Sequence, residues 1–182
     1  MEKGIKIWEQ ASYLEVSRKE SQEAISSTML TLRQPLEDFS EKVTYVVSDA
    51  REPEDFFECG VARIVSEKIV QIVSSFSPLK AQFFPVKVIH NGEDAGRYFY
   101  MNVFHEINCF DFDLSKYSCD EEIDFIESIY QLVLRPVNSE HHLFFVAKVD
   151  FSILCASDVL SSKLNNAGCT GIRFTDPSQA FF

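Results

Sequence analysis

Two stretches of this chain carry the same punctuation. In VARIVSEKIVQIVSSF (61–76), an apolar, β-branched run reaches Ser66 and turns acidic at Glu67, after which Ile69, Val70, Ile72 and Val73 fall on a helical stripe. ILCASDVLSSKLNNAGCTGIRF (153–174) reads as a strand, Ser157 as helix cap, Asp158 in the first turn, a helix closed by Gly168, and a returning strand. With Ser157-Asp158 laid on Ser66-Glu67, the next strand begins at about the same offset in both. The pattern looks like one strand-helix-strand unit used twice, although short helices between strands also arise without duplication. On either reading the fold class is α+β.

The remaining segments are mostly strands. AQFFPVKVIH (81–90), the turn residues 91–96 and GRYFYMNVF (96–104) form a hairpin pattern, and KVTYVVS (42–48) and HHLFFVAKV (141–149) have strand composition. CDEEIDFIESIYQLVLRP (119–136) is ambiguous: its acidic start suits a short helix or turn, while Ile126, Tyr130, Leu132 and Leu134 would share one face of a strand that Pro136 ends. IKIW and YLEV could be short strands, and residues 17–39 read as loop or as a surface helix stopping before Pro35. Residues 1–40 are therefore expected to be an extension on a single domain of mostly antiparallel strands and a few short helices.

With 182 residues, 46% of them apolar, the chain can bury one core and is too short for two independent ones. A formal charge of −11 repels phosphate backbones and anionic lipid, which argues against nucleic-acid and membrane partners and suits a basic protein partner. The five cysteines have no CxxC or similar spacing and read as reduced thiols. No secretory segment opens the chain and no apolar run approaches a membrane span, so a cytoplasmic protein is expected.

YFYMNVFHEINCFDFDLSKYS (98–118) is the richest stretch chemically. Read as one strand, it sets His105, Cys109, Asp111 and Asp113 on a common side. At about 3.3 Å per residue His105 and Cys109 would then lie roughly 13 Å apart, too far to share one zinc ion with bonds of about 2 Å. Asp111 and Asp113 would be about 6.6 Å apart, close enough to hold a cation, or to form the solvated face of an edge strand. No GxSxG, HExxH, P-loop or GxGxxG occurs, and no cofactor is implied.

The ordered series IVSEKIVQIV, FFPVKVI, YFYMNVFHEINCFDFDLSKYS, LFFVAK and CASDVLSSKLNNAGCTGIRF resembles a bacterial polymorphic-toxin immunity family, immunity protein family eleven, formerly a domain of unknown function. The likeness spans about residues 60–175. Asn102-Val103, Cys109-Phe110-Asp111, Ser115 and the closing Ser157-to-Phe174 unit carry it, with a departure at Asn108, where the family favours an acid. The resemblance implies a non-enzymatic protein that binds and neutralises a cognate toxin domain encoded by the neighbouring gene. On that footing Glu54, Asp55, Asp111, Asp113, Asp120, Glu121 and Glu122 are the candidate partner-binding residues. The alternative is a small hydrolase or transferase built from Cys59 or Cys119 with His141 or His142; a scaffold protein would instead expose a large apolar patch.

Overall fold

The computed structural model describes residues 4–19, 33–37, 43–120, 122, 125–149 and 151–182. In chain order the strands are β1 (Ile5–Gln10), β2 (Val16–Lys19), β3 (Thr44–Val47), β4 (Phe56–Cys59), β5 (Ala62–Ser66), β6 (Ala81–His90), β7 (Glu93–Asp94), β8 (Tyr98–Val103), β9 (Glu106–Ile107), β10 (Lys116–Asp120), β11 (Phe125–Gln131), β12 (Leu143–Val146), β13 (Leu154–Ser157) and β14 (Ile172–Thr175). Helix α1 (Glu67–Ser74) follows β5, and α2 (Asp158–Asn166) follows β13. One sheet runs β14-β1-β13-β12-β9, a second runs β2-β3-β6-β8-β5-β4 with β7 beside β6, and β10 pairs with β11 alone. The architecture is a single α+β domain, as the alternation of strand and helix signals predicts.

The repeated punctuation is carried into the hydrogen bonding. β5 and β6 both pair antiparallel with β8, so they are parallel to each other with β8 between them. β13 and β14 stand in the same relation to β1. The registers coincide: Ser66 faces Tyr98 and Phe83 faces Met101 in one unit, while Ser157 faces Ile5 and Phe174 faces Trp8 in the other. Ser66 on Ser157 and Phe83 on Phe174 therefore superpose without insertion or deletion. The helix starts match too, since Glu67 N–H donates to Arg97 O at 3.0 Å and Asp158 N–H donates to Gly4 O at 2.9 Å. The order of strands differs. In the first unit β8 follows β6, whereas in the second the equivalent strand is β1, from residues 5–10.

That circular arrangement revises the place of the amino-terminal residues. β1 lies inside a sheet between β13 and β14, and β2 pairs with β3, so neither is an appendage. The loop or helix expected over 17–39 falls largely outside the described residues.

Each helix buries one stripe against a common layer. Ile69 and Val73 of α1 and Leu160 and Leu164 of α2 lie four residues apart, one helical turn, and meet Trp8, Phe56, Met101, Phe145 and Leu154 from the two sheets. Trp8 packs edge-on to both Phe56 and Phe174, each at 5.5 Å between ring centres, which joins one unit to the other. The seven-stranded sheet curls until β2 approaches β4, with Cys59 Sγ 3.7 Å from Val16 O, and encloses a second core around Tyr45, Phe57, Ile64, Val88 and Tyr100. A third core, including Cys109, Phe110, Ile126, Ile129 and Cys155, lies under the β10–β11 hairpin.

Two strand expectations are corrected. The strand expected to run unbroken to Leu114 ends at Val103, and residues 112–114 form a turn. In the segment 119–136, Cys119 and Asp120 end β10, a turn at Glu122 leads into the strand as one of the two expected alternatives, and β11 carries register shifts that break its period of two. Ile126, Ile129 and Leu132 are therefore buried while Tyr130 turns outward, instead of sharing a face with Ile126 and Leu132.

Ile69→Ala and Leu160→Ala each remove a fully buried side chain from the shared layer. Each should lower unfolding free energy by about 2–5 kcal/mol in urea titrations, with one transition retained.

Candidate interaction surface

Asp55 is the most constrained of the candidate acids. It sits just before β4, and its carboxylate accepts from Ser66 Oγ (2.6 Å) and Thr170 N–H (2.9 Å) and pairs with Lys68 Nζ (2.8 Å). Burial pushes its carboxyl up, but hydrogen bonds from Lys68, Ser66 and Thr170 outweigh that and hold it below its usual value. Asp55 thereby ties the start of α1 to the loop before β14. It also explains a difference between the helix caps: Ser66 Oγ donates to Asp55, whereas Ser157 Oγ accepts from Leu160 N–H at 3.3 Å. Beside it, Glu54 accepts from Ser12 Oγ at 2.7 Å. Gly171, at φ +79°, passes so close that an added Cβ would strike the Phe56 carbonyl oxygen.

Asp111 and Asp120 also bond locally. Asp111 Oδ1 accepts from Asp113 N–H (3.1 Å) and Leu114 N–H (3.2 Å), an aspartate turn that replaces the expected strand. Its other oxygen lies 3.7 Å from Arg135 Nε. Asp120 Oδ1 accepts from Glu122 N–H at 2.9 Å at the tip of the β10–β11 hairpin. Asp113 and Glu122 are exposed, and Glu121 lies outside the described residues.

The histidine and the cysteine of the 98–118 stretch, His105 and Cys109, are buried. His105 is buried edge-on to His141 at 4.7 Å, and burial, with Lys80 and His141 nearby, pulls its pKa down. Burial pushes the Cys109 thiol up to about 11 and raises Cys59, Cys155 and Cys169 as well. Thiols held protonated in this way are poor nucleophiles, which runs against a Cys59-based hydrolase. Among the described residues no three His, Cys, Asp or Glu side chains gather into a metal site. No helix among them is long and apolar enough to cross a membrane.

A cleft of about 840 Å³ opens where residues 7–10 of β1 and the equivalent 100–103 of β8 face the same space. Inside it Arg33 and Arg63 lie over the Phe145 ring at 4.5 and 4.9 Å. Each cation in the cleft has a carboxylate: Arg33 with Glu106 at 2.5 Å, Arg63 with Glu58 at 3.1 Å, and Arg173 with Glu9 at 3.1 Å.

The β10–β11 hairpin presents a different surface. Tyr117, Ile126 and Ile129 face the core, and the shifts in register place Glu127 and Tyr130 as the extra residues of β11. The outward side carries Phe125 (43% exposed) and Tyr130 (59%), with Tyr130 Oη 3.5 Å from Ser118 Oγ. Phe182 exchanges both backbone hydrogen bonds with Ile129, at 2.7 and 3.2 Å. Alternation along that pairing sets Phe181 (76% exposed) beside Tyr130. This aromatic group was missed in the sequence because the shifts scramble its alternation.

Residues 2–179 match the Immunity protein family (Imm11), and the chain belongs to that family. The match takes in the amino-terminal strands that the resemblance left outside its span, as their place in the sheets requires. No curated protein matches the chain. Membership supports an immunity function in general.

Asp55→Asn keeps the shape and removes the charge that three donors engage. It should cost about 1–3 kcal/mol at neutral pH. A carboxyl held low stabilises the fold above its ordinary value of 3.8 and loses that contribution as pH falls through the lowered one. Urea titrations should therefore show a gap between wild type and variant that is constant down to about pH 4 and closes below it.

Proposed function

We propose that the chain neutralises a cognate toxin of an interbacterial-competition system by direct protein–protein contact, without catalysis. The observation that carries this reading is the match over residues 2–179 to an immunity family, on a chain of net charge −11. Acidic surface accelerates association with a basic partner and discourages wrong ones, while a few buried anchors supply most of the affinity. The raised thiols of Cys59, Cys109, Cys155 and Cys169 and the internally paired charges of the cleft agree with a binding role. In this reading the partner is the toxin domain encoded by the neighbouring gene, and the contact is made in the cytoplasm of the producing cell.

The exposed acids Asp113 and Glu122 are the candidate residues best placed to meet that partner directly. Asp55, Asp111 and Asp120 act first on their own chain, by fixing the loops that carry the surface. Glu54, bonded to Ser12, and Glu121 complete the proposed set.

Cells expressing the neighbouring toxin domain should stop growing and should resume when this chain is co-expressed. Growth arrest that persists with the folded chain present at comparable levels would reject the reading.

A further inference from the structure

Resting on the reading that this chain binds a toxin, we propose that the outward face of the β10–β11 hairpin receives it, and that the toxin meets that face with an apolar patch rimmed by basic side chains. Phe125, Tyr130 and Phe181 are large and exposed, and alternation from Ile126, Ile129 and Phe182 sets them on the outward side of the hairpin. The inward side already fills the core through Tyr117, Ile126 and Ile129. With Ile126 in the core, the register shift at Glu127 turns the Tyr130 ring into water where regular alternation would have buried it, and exposed apolar side chains grouped on one face mark interaction sites. Phenylalanine and tyrosine bring large contact areas, and tyrosine is among the residues that most often dominate binding energy.

The charge around the face specifies the partner. With Lys116 at the base of the hairpin, the described charged residues toward its tip are Asp120, Glu122 and Glu127. Of these, Glu122 and Glu127 are exposed. A second copy of this chain docked face to face would oppose acid to acid, which costs free energy, whereas a basic toxin surface is complementary. The cleft between the units offers no comparable charge, because its arginines are already paired with Glu9, Glu58 and Glu106.

The test uses the full chain and the purified toxin domain encoded beside it, followed by calorimetry and by association kinetics at rising salt. Tyr130→Ala combined with Phe125→Ala should weaken binding at least tenfold. Glu122→Lys combined with Glu127→Lys should slow association and flatten its salt dependence. Tyr13→Ala, an exposed aromatic at the mouth of the cleft, should bind as wild type. Melting temperatures of all variants should stay within a few degrees of wild type, since the altered side chains are exposed. If wild type binds and both hairpin variants bind within twofold of it, the face is wrong while the immunity reading stands. If wild type itself neither binds nor protects, the reading fails and this proposal fails with it.

Discussion

Among the described residues, each helix covers its apolar stripe with the layer it shares with the other unit. Ile69 and Val73 of one helix and Leu160 and Leu164 of the other share one core with Trp8, Phe56, Met101 and Phe145, and those residues come from strands of both units. The two strand-helix-strand units are therefore halves of one domain. Asp55 and Gly171 lock the junction, the first by gathering donors from α1 and the loop before β14, the second by allowing that loop to touch the backbone at Phe56.

This mutual burial leaves the connection between the units free for function. Between β8 and β12 the chain makes β9 and the β10–β11 hairpin, which lies over a core shared with Ile7, Phe144 and Cys155 of the five-stranded sheet and keeps its outward face in solvent. A binding element on a rigid base loses less conformational freedom on docking than a loose loop does. The aspartate turn at Asp111 and the tip bond at Asp120 extend that rigidity through the acidic part of the surface.

Much of the fold was legible in local signals. Ser66-Glu67 and Ser157-Asp158 announced both helices, and Asn91-Gly92, both at positive φ, announced the turn after β6. The role of β1 was hidden, because a strand that completes a unit at the far end of the chain leaves no trace in local periodicity. The break after Val103 was hidden as well: alternation of aromatic and polar residues continues through Asp113, although Asp111 turns the backbone there. At the candidate site the acids were visible, but which of them bond to their own backbone depends on turn geometry. The aromatic face was invisible because the register shift at Glu127 moved Tyr130 to the side opposite Ile126.

The central claim is that protection comes from occupancy, one chain held on one toxin, and not from turnover. Titrating the purified chain into a fixed amount of active toxin domain measures that most directly. The account predicts that residual toxin activity falls linearly and vanishes near one chain per toxin, with no further loss on longer incubation. Complete inactivation by a small fraction of an equivalent, progressing with time, would mean that the chain acts as a catalyst and would contradict the account.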